Sequence, residues 1–157
     1  MKGLILNKGE DGYSYFKDLF CEIAELSEKY NWFVSYPECY PQSQELQQKL
    51  NMEPLWLSGA ELKDLLYTED FQWIWGVLSG FPKNILLDDV LNQSSCADGG
   101  LSFWQNPIHL QHPLAEIELV AWDSSCTLFI SKEDSMIEKI SALYCQAEDL
   151  EAYNSQQ

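Results

Sequence analysis

Five side chains in the second half of the sequence are of the types that nucleophilic or metal chemistry uses: Cys96, Asp98, His109, His112 and Asp123. Cys96, a histidine and Asp123 follow one another in the chain order of a Cys-His-Asp triad, in which a base keeps the thiol ionised and a carboxylate orients that base. Nothing around Cys96 resembles a helix start that would lower its pKa, and the chain's negative charge opposes a thiolate. His109 and His112 stand three apart, a spacing that converges two imidazoles on a metal only along a helix face. Pro107 and Pro113 bracket the pair, so a regular helix is not expected there. Cys96 or Asp98 could complete a metal site, but an H-x-x-H in a proline-rich loop reads more simply as loop polarity. No catalytic residue, metal ligand or cofactor is assigned, and a Cys/His-dependent enzyme or metal protein built on these residues stands as the alternative reading.

Paired carboxylates for acid and base work occur at Asp88 and Asp89 and at Glu116 and Glu118. In a chain with 25 acids such pairs are expected by chance, so they carry little specificity. Glu116 and Glu118 are two apart on a strand pattern and share one face, expected to be its solvated side. Asp123 and Ser124 are ordinary turn formers. Among the six tryptophans, Trp32, Trp73 and Trp75 fall inside strand patterns and read as core. Trp104, in "LSFWQNP", has no periodic partner. A loop indole beside acids is the composition of a protein-binding anchor, although capping the protein's own core is the simpler use of it.

Charge narrows the ligand classes. The chain has 9 cations against 25 acids, a net charge of −16, and every cation is a lysine. Without arginine it lacks the planar fork that grips phosphate through two parallel hydrogen bonds. Nucleic acid, nucleotides and anionic membrane surfaces would meet a repulsive field, whereas a basic protein partner would be attracted. The same charge could serve solubility alone. Hydrophobic residues at 46% and aromatics at 13% are too many for a disordered acidic chain, so the acids must cover a packed core. The five cysteines are odd in number, widely spaced and without a C-x-x-C pair, which argues against a disulfide framework or zinc site. The apolar run Gly3 to Leu6 is too short for a signal segment, and no stretch is long enough to span a membrane. A reducing, cytoplasmic compartment is expected.

The elements that must position these residues follow from periodicity. "GLILN" predicts a first strand. Tyr13, Phe16, Leu19, Phe20, Ile23, Leu26 and Tyr30 recur every three or four residues, predicting one amphipathic helix, with Asp11 as its cap and Asp18, Glu22, Glu25 and Glu28 as an acidic ridge on its outer face. "YNWFVSY" predicts a strand ended by Pro37, and "QSQELQQKL" a short surface helix. "SGAE" at 58 to 61 matches a capping box and opens the helix "AELKDLLYT". "FQWIWGVLSG" predicts a central strand, "NILLDDVLNQSS" a helical turn, and residues 95 to 113 a long loop. "EIELVAW" and "CTLFISK" joined by "DSS" predict a hairpin, followed by a helix carrying Met136, Ile137, Ile140, Leu143, Tyr144, Ala147 and Leu150. The sum is an α+β fold: a single mixed or mainly antiparallel sheet of about five strands with helices packed on it. No internal repeat or composition break divides it, so residues 1 to 153 read as one domain and 154 to 157 as a frayed tail.

The blocks "YNWFVSY", "LWLSGAELKDLL", "FQWIWGVLSGFP" and "LVAWDSSCTLFISKEDSMIEKI" together resemble a family of small bacterial proteins known only as a domain of unknown function. The resemblance covers most of the chain and implies a compact α+β domain, with no catalytic residues to carry over. In size and acidity the chain is also similar in kind to the immunity proteins that neutralise bacterial toxins. The expectation is an acidic cytoplasmic protein-binding module, most concretely an inhibitor of a basic toxin such as a nuclease, with Asp18, Glu22, Glu25, Glu28, Asp64, Glu69, Asp70, Asp88, Asp89 and Trp104 as candidate partner-binding residues. A housekeeping adapter subunit is the third reading.

Overall fold

Two ten-residue strands, β2 (Tyr30–Cys39) and β4 (Trp73–Pro82), pair antiparallel and carry the rest of the sheet on either side. In the computed structural model, residues 1–10 and 13–157 are described in full and residues 11 and 12 by backbone alone; the cap expected of Asp11 lies outside the described residues. The other strands are β1 (Lys2–Leu6), β3 (Leu55–Ser58), β5 (Ile117–Trp122), β6 (Cys126–Ser131) and β7 (Glu148–Asp149). Their order is β3-β2-β4-β5-β6-β1-β7, and every neighbouring pair is antiparallel. The sheet therefore has seven strands among the described residues, not about five. The two unforeseen ones, β3 and β7, have four and two residues, too few to display an alternation of their own.

Alternation along the longer strands divides the core in two. Trp32, Val34, Leu78, Ile117, Leu119 and Phe129 face one way, against α1 (Lys17–Glu22), α2 (Ala24–Lys29), α3 (Gln44–Leu50), α4 (Gly59–Thr68) and α6 (Asp134–Leu143). Phe33, Val77, Phe81, Val120, Leu128 and Ile130 face the other way. There they meet residues 83 to 116, a mostly irregular segment holding the short α5 (Leu87–Val90) and a 3-10 turn at Leu101–Trp104, together with α7 (Leu150–Asn154).

Local sequence explains the helical side. Ser58 Oγ accepts from the Glu61 N–H at 3.1 Å while Glu61 Oε2 accepts from the Ser58 N–H at 2.7 Å, the capping box expected at the start of α4. Gly59 beside it has no room for a side chain, since a Cβ would lie 1.5 Å from the Ser27 carbonyl oxygen of α2. The predicted helix over Tyr13 to Tyr30 is corrected to two short ones. Ile23 leaves helical geometry (φ −114°, ψ 82°) and closes α1, while Tyr30 already begins β2. Phe16, Leu19, Phe20, Ile23, Leu26 and Tyr30 are nonetheless all buried, whereas Tyr13, in a 3-10 turn before α1, is exposed; the period identified most of the buried positions but neither the start of the helix nor its break.

Two further expectations are corrected. Pro37 does not end β2. The strand bulges at Tyr36 and Pro37, where these two residues between Ser35 and Glu38 face the single residue Gly76 between Val77 and Trp75, and then runs on to Cys39. Because β3 pairs only Asn31 to Val34, no second ladder crosses β2 at the proline, whose missing N–H is tolerated there. The last helix ends at Leu143; Leu150 opens α7 after β7 and packs on the opposite face of the sheet, its spacing from Ile140 being coincidental. The "DSS" hairpin is present, with Trp122 paired to Cys126 and both Asp123 (φ 49°) and Ser124 (φ 59°) left-handed, a conformation that short polar residues tolerate.

Candidate functional site

The residues that first suggested chemistry are not brought together. His112 is buried with its ring edge-on to Phe81 at 4.8 Å. Its Nδ1 accepts from the Leu114 N–H at 3.2 Å, which leaves Nε2 protonated and facing the Val90 carbonyl at 3.3 Å. Burial holds its pKa below the ordinary histidine value. The imidazole is neutral and fully engaged with backbone. His109 is exposed, Cys96 is exposed with its Sγ toward the Asp98 carbonyl, and Asp123 sits at the hairpin tip. No hydrogen bond joins any two of Cys96, His109, His112 and Asp123 among the described residues, and no group of three or more His, Cys, Asp or Glu there is placed to hold a metal. The two buried thiols, Cys39 and Cys126, are pushed up to about 12 by desolvation and are unreactive.

Glu118 is the residue that sequence reasoning misplaced. Glu116 lies one residue before β5 and is partly buried, whereas Glu118, within β5, is fully buried on the face covered by residues 83 to 116. Oε2 accepts from the Gln111 N–H at 2.8 Å, and Oε1 from the His112 N–H at 3.1 Å and the Ser79 hydroxyl at 3.2 Å. One carboxyl thus fastens the loop to two strands of the sheet. Desolvation pushes its pKa up to about 7, against the opposing pull of those donors and of His109. A lone strand glutamate flanked by Ile117 and Leu119 was its only signal in the sequence.

The acids proposed for partner binding fall into three groups. Glu69 and Asp89 work within the fold: Glu69 accepts from the N–H groups of Gln42 and Ser43 at 2.7 and 3.0 Å, and Asp89 from that of Leu86 at 3.1 Å. Glu25 is paired to Lys139 across α2 and α6. Asp18, Glu22, Glu28, Asp64, Asp70 and Asp88 are exposed. The ridge is carried on two helices, with Asp18 and Glu22 on α1 and Glu25 and Glu28 on α2. Trp104 is partly buried, edge-on to Trp122 at 4.9 Å and near Tyr153 at 6.1 Å, so its loop closes over the molecule's own sheet.

Two surface clefts bear on binding. The smaller, about 380 Å³, is lined by Glu10, Tyr13, Tyr15, Asp18, Asp70 and Tyr144; it joins two candidate acids 52 residues apart in sequence. The larger, about 760 Å³, lies where β2 outruns β3, between the bulge at Tyr36 and Pro37, the turn from Leu50 to Leu55, and the loop residues Leu91, Ser94, Cys96 and Asp98. Trp75 and Met52 supply apolar wall, and Glu38, Glu53 and Asp98 are its charged members. Of these three, Asp98 was weighed in the sequence only as a possible metal ligand, and Glu38 and Glu53 were not singled out; a proline inside a strand pattern, "SYPEC", was the signal available for the bulge. Among the described residues, every charged one lining either cleft is an acid. No helix among the described residues is long and apolar enough to cross a membrane. In comparisons with known proteins, no family model matches the chain, and no curated protein and no solved structure matches it either.

Proposed function

We propose that the protein is an acidic protein-binding module of the cytoplasm, most concretely an immunity or inhibitor protein that neutralises a basic bacterial toxin such as a nuclease. The observation that carries this reading is the lining of the two clefts. Among the described residues six charged side chains line them, Glu10, Asp18, Asp70, Glu38, Glu53 and Asp98, and not one of the nine lysines joins them. Tyrosines or tryptophan stand beside these acids in each cleft, the pairing of aromatic contact with negative potential that suits a cationic surface. Long-range attraction would speed encounter, and the aromatic walls would hold the complex. Asp18, Glu22, Glu28, Asp64, Asp70, Asp88 and the exposed part of Trp104 are the remaining contact candidates.

The test is co-expression with the product of the adjacent gene, followed by growth rescue, co-purification and stopped-flow association. A basic product, toxic alone and rescued by this protein, supports the reading. The quadruple variant D18N/E22Q/E28Q/D70N should then associate about tenfold more slowly at low salt, with a flatter salt dependence. A neighbouring product that is neither basic nor bound, together with no binding to basic nucleases, would end it.

A further inference from the structure

We infer that the larger cleft is the seat of an arginine-bearing extended segment of the basic partner, entering by its side chains rather than as an added strand. This rests on the reading of the protein as a binder of basic proteins, and it names where and how that binding occurs. A cleft of about 760 Å³ falls in the range of built ligand sites, roughly 300 to 1,000 Å³, and takes several residues rather than one side chain.

Its three carboxylates come from three separate segments, Glu38 from β2, Glu53 from the turn before β3 and Asp98 from the covering loop, so they surround the opening. None of the three takes part in an ion pair among the described residues; the ion pairs there use Glu25, Glu133, Asp134 and Glu148, each with a lysine. Arginine fits this opening better than lysine. Its planar head pairs with carboxylates two bonds at a time and stacks on aromatic faces, and Trp75 and the exposed Tyr36 line the same space. The chain has no arginine of its own to fill it.

Backbone geometry sets the mode of entry. From Ser35 onward β2 has β4 on one side and no strand on the other, which would ordinarily invite a peptide to add itself as a strand. Pro37 offers no N–H for such a ladder, and Tyr36 holds a left-handed backbone (φ 48°) that breaks its regularity. Backbone strain of this kind concentrates at ligand sites. Here the bulge places Tyr36 among the lining residues, with its hydroxyl 3.3 Å from that of Ser94 on the covering loop. At the floor lies Ser35, 4% exposed, whose buried hydroxyl has no hydrogen-bond partner among the described residues. A hydroxyl in that state is costly, and a polar head group seated on the floor would give it a partner.

Cys96 lines the cleft, whereas the other two exposed cysteines, Cys21 and Cys145, do not, which supplies an internal reporter. The probe is the peptide acetyl-Gly-Arg-Leu-Arg-Gly-amide, with a glutamate-for-arginine version as control, titrated into the full chain while iodoacetamide alkylation of each cysteine is followed by mass spectrometry. The expected result is saturable binding of the arginine peptide only, with Cys96 alkylated at least fivefold more slowly and Cys21 and Cys145 changed less than twofold. E38Q/E53Q/D98N should weaken the peptide at least tenfold. E45Q/D134N/E138Q, which removes the same three charges elsewhere, should weaken it less than threefold. Equal losses in the two triples, or equal protection of all three cysteines, would overturn the cleft while leaving a diffuse acidic binder standing. Absence of peptide binding to the unmodified chain, with the basic partner protein still bound, would also overturn the cleft alone; absence of both would remove the functional reading with it.

Discussion

The two faces of the sheet are covered in different ways. One is packed by five helices whose apolar residues interlock with Trp32, Leu78 and Leu119, and the polar groups at their ends are satisfied locally by caps such as Ser58 and Ser43. The other is covered by residues 83 to 116, which have little regular structure and hence few backbone bonds of their own. That segment is tied down from outside: by Glu118 beneath it, by Lys132 at the Pro113 carbonyl (3.0 Å), and by α7, where Glu151 accepts from the Ile108 N–H at 3.1 Å and Asn154 donates to the Phe103 carbonyl at 3.3 Å. Repetition of a simple pattern suffices on the first face. The second depends on a few specific polar ties, and a buried carboxylate is the central one.

Four substitutions sharpen that contrast. The largest effect belongs to the helical face: Phe20→Ala, which removes a fully buried ring edge-on to Trp32 at 5.3 Å, should cost about 3–5 kcal/mol in urea unfolding, equally at pH 5 and pH 7. Next comes Glu118→Ala, which strands three donors and should cost about 2–4 kcal/mol, with hydrogen exchange accelerating at Gln111 and His112 before it does in α4.

The charge on Glu118 adds a pH signature that the other face lacks. Its folded pKa lies above the ordinary value, so its contribution is fully present below about pH 4.5 and is lost as pH rises to about 7, amounting to about 3 kcal/mol over that window. His112 acts in the opposite sense: its folded pKa is lowered, so stability is lost as pH falls below the ordinary 6.5. Glu118→Gln should therefore remove the decline toward pH 7, and a pH profile unchanged by that substitution would exclude this carboxyl as its source. The smallest effect is Ser58→Ala, about 1 kcal/mol and local to the start of α4, measured by the same urea titration.

The same contrast governs what could be read in advance. Phe16, Leu19, Phe20 and Leu26 were identifiable because burial on one helix face repeats every three or four residues, and Ser58 with Glu61 because a capping box is a local code. The hairpin at Trp122 and Cys126 is local in the same sense. The burial of Glu118 is not, because nothing near it in sequence tells that residues 83 to 116 fold back over that face. For the same reason Glu118 was wrongly placed in water, while Glu116, one residue before β5, is only partly buried. The clefts belong to this second class. Asp18 and Asp70 were chosen separately for their charge, and their meeting beside Tyr13 and Tyr15 is a property of the tertiary fold. Glu38 and Glu53 were two acids among 25, and Asp98 a possible metal ligand, until the bulge in β2 and the loop brought the three around one opening.

The strand order has a consequence for how copies of the molecule behave beside one another. Its longest strands, β2 and β4, lie inside, and the sheet ends on four residues at β3 and two at β7. A growing fibril needs a long row of open backbone donors and acceptors to copy, and neither end provides one. Mutual repulsion at a net charge of −16 keeps copies apart near neutrality, but it fades as acid protonates the carboxylates. The short edges do not titrate, so resistance to strand-by-strand aggregation survives the loss of charge.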